Sequence, residues 1–323
     1  MGDERLKSLR NVAFSSASWN RCSEHDMIAS MKVFVVYSSP AGSTARIARR
    51  IADFFRKGGT EEFSVSLYDL GALKFYNEGN KISPLLKEID AAGENGLLFL
   101  GSPVYVGHAV PPVSNFIDLL PSDIGTVFVP FVTWGGVSSG VALQEMAESA
   151  FSHGLRVAGG ISMVAPHSHM WRDDNPLGKA RPNKNDMEML DRWLFDFVRR
   201  LATSALSPES SIEALIHPDP VVRESFSRVD LASAADEMPD RTIRTEGANA
   251  CTLCRSCYAV CPTSAIQFAP HPVFTDRCIY CFNCVKLCPN GSIVADLVSK
   301  ERFLHKTSLL RNEPASPRFV FLT

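Results

Sequence analysis

The sequence predicts an α/β fold, a doubly wound five-stranded parallel sheet, followed by a small α+β domain rich in cysteine. Two observations support this prediction. Over residues 31–203, short apolar runs rich in β-branched residues alternate with longer amphipathic stretches, as in repeated βα units. Between residues 251 and 288, two runs of four cysteines follow one another. We therefore expect two domains of different class.

The five predicted strands are apolar almost throughout, which is typical of strands buried on both faces of a sheet. They cover residues 32–38, 63–70, 96–102, 126–133 and 155–165. Helices are predicted at 43–57, 82–91, 112–120, 139–153 and 184–203. Because a helical stretch follows each strand, the strands are expected to pair in parallel, with helices on both faces.

Changes in composition divide the chain into five segments. Residues 1–30 are polar and charged and are interpreted as an extension, either disordered or preceding an initiator at Met31. The α/β domain is assigned to 31–203 and the cysteine-rich domain to 246–299. Between them, 204–245 is punctuated by prolines but retains apolar residues, and it is interpreted as a structured connector. A tail, 300–323, is expected to pack on one of the two domains.

The charge and hydropathy of the chain exclude several classes of partner. The 33 basic and 35 acidic side chains give a net charge of −2, so no overall attraction to nucleic acid is expected. No apolar run reaches the roughly 20 residues that span a bilayer, and no secretory signal is recognised. The sequence therefore predicts a cytoplasmic protein.

Both cysteine runs follow the pattern C-x2-C-x2-C-x3-C-P and are offset by 278 − 251 = 27 residues. This spacing is that of two [4Fe–4S] clusters, in which the fourth cysteine of each run binds the cluster of the other run. One ligand set is then Cys251, Cys254, Cys257 and Cys288. The other is Cys278, Cys281, Cys284 and Cys261. The ninth cysteine, Cys22, is outside the pattern and is interpreted as a plain thiol.

Zinc and disulfides are the alternatives for these cysteines. Zinc sites typically use two C-x2-C pairs that close one tetrahedron, without a fourth cysteine before proline. Disulfides need an oxidising compartment, to which nothing in the sequence points. The duplicated pattern therefore favours iron–sulfur clusters.

In a doubly wound sheet, ligands bind beyond the carboxyl ends of the strands. The loop after the first strand, SSPAGSTARIA, has neither the lysine of a Walker loop nor a G-x-G-x-x-G pattern. Its hydroxyl residues and single glycine at a helix N-terminus suit a phosphate group, or simply an N-cap. The loops after the third and fourth strands each place one aromatic residue, Tyr105 or Trp134, beside glycines. Such loops suit a flat aromatic ring, although either aromatic alone would more often be a packing residue.

Together these three loops resemble the flavodoxin family, whose phosphate loop is matched here by Ser39-Pro40-Ala41-Gly42-Ser43-Thr44. The resemblance implies FMN, with its phosphate on Ser39, Gly42, Ser43 and Thr44. It implies that the flavin ring lies between two loops: Val104, Tyr105, Val106 and Gly107 on one side, and Trp134, Gly135 and Gly136 on the other. The loop departs from the family pattern at Ala41, where threonine is usual, and at Pro40, which removes an N–H donor.

Residues 251–295 resemble bacterial-type two-cluster ferredoxins, so the whole chain resembles a flavodoxin–ferredoxin fusion. The resemblance implies an electron-transfer iron–sulfur flavoprotein, an oxidoreductase or electron carrier that couples one-electron clusters to FMN. One alternative is an FMN-dependent reductase of a small organic acceptor, fed by its own clusters. Another is a flavodoxin-like docking module without flavin. The redox partner, a protein or a small molecule, and the oligomeric state are not specified by the sequence.

The loop 165–186 is long for a connection without secondary structure. Its residues His167, His169, Trp171 and Arg172 are candidates to cover the flavin, to bind a substrate or to seat the ferredoxin domain, or they belong to a solvated loop. His108, next to the expected flavin, is a candidate proton donor or a pocket-rim residue.

Overall fold

The computed structural model describes residues 31–57, 63–73, 82–203, 212–231 and 233–322. The predicted extension, including Cys22, and the first part of the connector lie outside these residues. None of the described helices is both long enough and apolar enough to cross a membrane.

The central sheet contains the five predicted parallel strands. They are β1 (Met31–Tyr37), β2 (Phe63–Asp69), β3 (Gly96–Tyr105), β5 (Val127–Trp134) and β7 (Gly159–Val164). Their order across the sheet is β2-β1-β3-β5-β7. This is the 2-1-3-4-5 order of flavodoxin-like folds, with the switch point between β1 and β3. Two short strands, β4 (His108–Ala109) and β6 (Arg156–Val157), pair with β3 and β5.

Beside the five parallel strands, the sheet has a further strand at its edge that the sequence did not predict. Residues Arg318–Phe321 of the C-terminal tail form β12, which pairs antiparallel with β7. The tail thus packs on the α/β domain. Its position covers the β7 edge, which would otherwise present unpaired backbone groups.

Helices cover both faces of the sheet, as predicted. They are α1 (Ser43–Lys57), α2 (Ser83–Ala92), α3 (Pro111–Asp118), α4 (Ala142–Ser152) and α5 (Lys184–Thr203). On one face, α2, α3 and α4 enclose a core that includes Phe116 and Phe128. On the other, α1 and α5 enclose a core around Phe55, Phe99 and Phe197. The residues that fill these cores recur at helical spacing, which explains why the predicted helix limits lie close to the observed ones.

The connector contains a short helix, α6 (Pro220–Phe226), whose N-cap Asp219 accepts a hydrogen bond from the Val221 N–H. It leads to β8 (Thr242–Ile243), the first element of the cysteine-rich region. The other elements of that region are α7 (Ser256–Ala259), β9 (Ile266–Phe268), β10 (Pro272–Phe274), α8 (Asn283–Lys286) and β11 (Ile293–Val294). A final helix, α9 (Leu297–Arg311), joins this region to β12.

The 27-residue sequence repeat is also a repeat of backbone conformation. Leu253 and Tyr280, which are 280 − 253 = 27 positions apart, both have φ near +55° (56° and 53°). Arg255 and Phe282, 282 − 255 = 27 apart, have φ of 63° and 55°. Left-handed conformations are costly for such residues. Their recurrence at equivalent positions indicates that each cysteine triplet winds around a centre in the same way.

Candidate functional site

The loop after β1 leads directly into the N-terminus of α1. Ser39 Oγ accepts a hydrogen bond of 2.9 Å from the Ala45 N–H, and Thr44 Oγ1 lies 2.8 Å from Thr133 Oγ1. Both hydroxyls therefore help to fix the loop. Gly42 has φ of +89°, and no heavy atom lies within 4 Å of the position where a Cβ would be. The N-terminus of α1 thus faces open space at Gly42, with half-buried Ser43 beside it, which fits an anion.

The loop after β3 is a tight hairpin. Tyr105 pairs with His108 across it, and Val106 and Gly107 between them have φ of 53° and 84°. Two consecutive residues with positive φ are typical of a two-residue turn that matches the twist of its strands. A Cβ at Gly107 would lie 2.2 Å from the ring of Phe226, a connector residue, so only glycine fits there.

The loop after β5 is pressed against the loop 165–186. A Cβ at Gly135 would lie 2.5 Å from the His167 ring, and one at Gly136 would lie 3.1 Å from the Gly178 nitrogen. Trp134 ends β5 and is only 3% exposed. The structure therefore brings together all three loops that the flavodoxin resemblance assigns to FMN, at the carboxyl ends of β1, β3 and β5.

The buried polar atoms at this end of the sheet that have no hydrogen-bond partner among the described residues include Ser38 Oγ, Trp134 Nε1 and His169 Nδ1. A buried polar group without a partner costs about 1–3 kcal/mol. A ligand with several polar edges would satisfy such atoms, as the isoalloxazine ring and ribityl chain of FMN have. The residues present therefore fit FMN.

The loop 165–186 lies between the α/β domain and the cysteine-rich region. His169 is 7% exposed, and its Nε2 is 2.8 Å from the Tyr280 carbonyl oxygen. Its ring centroid lies 5.0 Å from that of Phe282 and 6.3 Å from that of Tyr105. Trp171 lies 5.8 Å from Lys286 Nζ, also in the cysteine-rich region. Of the roles expected for this loop, these contacts favour binding of the cysteine-rich region to the α/β domain.

Both histidines of this loop, His169 buried and His167 partly buried, are neutral at physiological pH. Burial lowers the pKa of His167 to about 3 and that of His169 to about 4. A neutral His169 that donates from Nε2 to Tyr280 leaves Nδ1 as an acceptor. Burial raises the pKa of Tyr105, so its phenol also stays protonated.

The predicted first ligand set lines one cavity. Its walls include Cys251, Cys254, Cys257 and Cys288, and its empty volume is about 320 Å³, part of it open to solvent. Cys288 thus joins the first run rather than its own, as crossed ligation requires. Cys254 is exposed, as is Leu253 at the rim, which is 45% exposed. This ligand set, called the outer set below, faces solvent.

The predicted second ligand set is more deeply enclosed. Cys261 and Cys284 are buried, and Cys281 packs against the α/β core through the same cluster as Ile279. Burial is the first cause and neighbouring cysteines a further cause of raised pKa values for the thiols of Cys281 and Cys284, the latter to about 11. Iron binding replaces these protons. We call Cys261, Cys278, Cys281 and Cys284 the inner set.

All eight cysteines of the two runs are free of disulfides. No three His, Cys, Asp or Glu side chains of the described segments meet closely enough for a single metal ion. The cysteines instead form two groups of four, each made of a triplet and the fourth cysteine of the other run. Their chemistry and grouping fit two cuboidal clusters.

Sequence reasoning missed three residues that contact these sites. Asn283 Nδ2 donates to the Pro40 carbonyl oxygen over 2.7 Å and so joins the inner set to the phosphate loop. Arg241 Nη1 lies 2.8 Å from Cys278 Sγ. Glu313, in the tail, accepts hydrogen bonds from Ser138 Oγ and the Ser139 N–H, in the loop after β5. Arg241 and Glu313 lie outside the motifs, and Asn283 occupies a position of the second cysteine run that the pattern leaves unspecified, so no sequence signal indicated these contacts.

Two family models match the chain. Residues 31–169 match the one described as NADPH-dependent FMN reductase, and residues 245–289 match the 4Fe-4S dicluster domain. No curated protein sequence matches the chain.

Three similar solved structures cover between 53% and 60% of this chain. An apo-form NADH:FMN oxidoreductase (EMOB) is 17% identical with a TM-score of 0.39, covering 60% of this chain and 94% of its own. A flavodoxin of Streptococcus pneumoniae TIGR4 is 15% identical with a TM-score of 0.36, covering 54% and 99%. The general stress protein 14 of Treponema denticola in complex with FMN is 13% identical with a TM-score of 0.34, covering 53% and 97%.

Proposed function

Since this chain is an iron–sulfur flavoprotein, which joins a flavodoxin-like FMN domain to a 4Fe-4S dicluster domain, we propose that it transfers electrons between its clusters and its flavin. FMN supplies a carrier of two electrons that also exchanges them singly, and each cluster supplies a one-electron carrier. The protein's own residues must then hold these carriers close together and keep water away from the path between them.

The contact between the inner cysteine set and the flavin loops carries this proposal. Asn283, between the ligands Cys281 and Cys284, holds the Pro40 carbonyl of the phosphate loop. On the other side, His169 contacts Tyr280 and Phe282 and faces Tyr105. We infer the order FMN, inner cluster, outer cluster, solvent.

We propose that the α/β domain spans 31–203 and the ferredoxin domain 246–299, joined by the connector. In this proposal Ser39, Gly42, Ser43 and Thr44 hold the phosphate, and the loops 104–107 and 134–136 flank the ring. The eight cysteines bind the two clusters in the crossed arrangement. His167, His169 and Phe282 exclude water between flavin and inner cluster, and because both histidines are neutral they add no charge to the path.

The second hypothesis, reduction of an organic acceptor, requires a pocket walled by Trp171 and His167 over the flavin. In the structure Trp171 lies beside Arg172 and Lys286, with Lys286 belonging to the ferredoxin domain. His167 packs on Gly135. The contact of Trp171 with Lys286 supports domain docking, and we therefore give preference to electron transfer.

The proposal is tested on the anaerobically reconstituted full-length protein. We expect about eight irons and one FMN per chain, as the two cubane clusters and one flavin require. After rapid mixing with substoichiometric dithionite, flavin absorbance and freeze-quench EPR should show electrons equilibrating between flavin and clusters within one chain, at a rate independent of protein concentration. A flavin and clusters that equilibrate only through collisions between molecules would contradict the proposal.

Asn283→Ala provides a matched test of the docking contact. Losing one hydrogen bond of about 1 kcal/mol should lower the equilibrium constant for docking about fivefold, and flavin–cluster equilibration should be slower than in the wild type. Asn290→Ala is the control, because Asn290 Nδ2 donates over 2.6 Å to Ala250 within the ferredoxin domain. Equal rates in the two variants would argue against electron transfer through this contact.

A further inference from the structure

Arg241 lies immediately before β8 and makes an unusual contact. Its Nη1 is 2.8 Å from the Sγ of Cys278, a member of the inner set. Its guanidinium also interacts with the thiol of Cys284, in the same set. The positive charge is therefore placed against two of the four sulfur atoms that hold the inner cluster.

Aromatic rings surround this guanidinium. Its central carbon lies 4.0 Å from the Phe274 ring centroid, 5.2 Å from that of Tyr280 and 5.8 Å from that of Phe282. Its Nε is buried without a hydrogen-bond partner, and within the described segments no carboxylate forms a salt bridge with it. Asp236 and Asp240 are close enough to act on Tyr280. The Arg241 guanidinium thus has the sulfur atoms of Cys278 and Cys284 as its direct anionic partners.

In the part of the chain that the structure describes, the outer set has no equivalent cation. The two sets do share one kind of contact: the Ala265 N–H donates to Cys261 Sγ at 3.2 Å, and the Ser292 N–H, 292 − 265 = 27 positions later, donates to Cys288 Sγ at 3.3 Å. Among the described residues no arginine or lysine donates to an outer-set cysteine. Arg255, which borders that cavity, is exposed and lies 5.2 Å over Phe268. Over the described ranges, the two cysteine sets are therefore alike in their backbone N–H contacts but differ in that only the inner set contacts a partly buried arginine, Arg241.

We propose that Arg241 raises the reduction potential of the inner cluster while leaving that of the outer cluster nearly unchanged. Reduction adds one electron, and so one negative charge, to the cluster and its four thiolates, with no bond formed or broken. A cation held about 3 Å from a ligand sulfur in a poorly solvated site stabilises the more negative state. Arg241 is thus a positioning residue: it places a positive charge beside the inner cluster. This charge favours the reduced state of the cluster next to the flavin.

This inference requires that both clusters are bound. Only its consequence, that the electron is held next to the flavin, rests on the proposed electron transfer. Its test is an EPR-monitored redox titration of the full-length holoprotein with dithionite and mediators, which does not involve transfer to FMN. The variant Arg241→Gln removes the charge, Arg241→Lys keeps it, and Arg255→Gln removes the exposed cation beside the outer set. Cys281→Ser and Cys254→Ser, each changing one ligand, assign the two cluster signals.

We expect Arg241→Gln to lower the inner cluster's reduction equilibrium constant about tenfold or more, which is about 59 mV for one electron. The outer cluster should change much less, Arg241→Lys should retain most of the wild-type potential, and Arg255→Gln should leave the inner cluster unchanged. Equal shifts of both clusters, or no shift, would overturn the proposal. If Arg241→Gln loses iron, Arg241→Lys decides: a wild-type potential with full iron supports the proposal, whereas loss of iron in both variants overturns it, because the residue would then be needed for assembly.

Discussion

At the scale of single residues, His108 has a defined electrostatic partner. Its Nδ1 lies 2.6 Å from Glu145 Oε1, and its Nε2 contacts the Val229 carbonyl oxygen. The hydrogen bond to Glu145, the largest cause, raises the pKa of His108 above its usual value despite partial burial. The residue proposed from sequence as a proton donor or rim residue thus joins α4 to the connector.

This pair predicts a dependence of stability on pH. Because the pKa of His108 is raised on folding, its contribution is fully present below pH of about 6.5 and is lost as pH rises through the higher folded pKa. The free energy of unfolding should fall over that interval by up to about 1 kcal/mol, the scale of a partly exposed ion pair. Urea unfolding followed by circular dichroism at several pH values measures it.

Glu145→Gln should remove this part of the pH dependence. Glu148→Gln, on the same helix but exposed and bonded to Gln144, is the control and should leave the pH dependence as it is. An unchanged pH dependence in Glu145→Gln would show that the pair is not its source.

Glu313 is the second residue whose role follows from its contacts. Hydrogen bonds from His217, Ser139 and Ser138 outweigh burial and hold the pKa of this carboxyl below its usual value. The ionised carboxylate therefore fixes the end of the loop after β5, which also carries Trp134. Glu313→Gln should weaken FMN binding about three- to tenfold, since loss of about 1 kcal/mol of loop order corresponds to a factor of that size.

Titration of the flavin-free protein with FMN, followed by flavin fluorescence, measures this affinity. The control is Glu224→Gln, which removes an exposed carboxylate paired only with Arg228 in the connector. Wild-type affinity in Glu313→Gln would mean that the tail does not order the flavin loop.

At the scale of elements, the tail strand β12 is held by stacked aromatic rings. The Trp193 ring of α5 lies 5.1 Å from Phe321 and 6.2 Å from Phe319, and it also stacks on Phe197 at 5.0 Å. The guanidinium carbon of Arg200 also lies over the Phe321 ring, 4.3 Å from its centroid. The strand thus packs against the core around Phe55, Phe99 and Phe197 and also covers the edge of the sheet.

Phe321→Ala should lower the free energy of unfolding by about 1–3 kcal/mol, less than for a fully buried phenylalanine because this ring is half-buried. Chemical unfolding followed by Trp fluorescence measures the loss. Phe303→Ala, which truncates a ring that is 52% exposed on α9, is the matched control and should change stability by less than about 0.5 kcal/mol. Equal effects would contradict the role of β12 in the core.

At the scale of the whole molecule, the two domains differ in what holds them together. The α/β domain has two extensive apolar cores, whereas the core of the ferredoxin domain consists of Cys257, Cys261 and Cys284 with Ala265, Ile266 and Ile293. A core made half of metal ligands is expected to depend on its clusters for stability. We therefore expect the clusters to act as structural as well as redox groups.

Removing the clusters with a chelator should make residues 246–299 sensitive to protease while the α/β domain remains folded. Limited proteolysis with mass spectrometry measures this, and protein treated to remove only FMN serves as the control. Equal protease resistance with and without clusters would show that the protein alone maintains the ferredoxin fold.

The sequence determined the fold class, the order of the elements and the two cofactors, because these depend on local patterns. Helix α1 and helix α5 were predicted with their observed limits, 43–57 and 184–203, since apolar residues at helical spacing mark a buried face. The cysteine spacing likewise encodes the winding of each triplet, which the backbone repeats at Leu253 and Tyr280.

The tertiary structure alone decided how the domains meet. Asn283 and Pro40 are 243 positions apart, and Arg241 reaches Cys278 from outside the cysteine motif. The tail forms the sixth strand although its sequence fits either domain. Such contacts depend on single side chains brought together by the folded chain, so they leave no period or spacing in the sequence. The sequence specified which groups this protein carries, and folding decided which of them are neighbours.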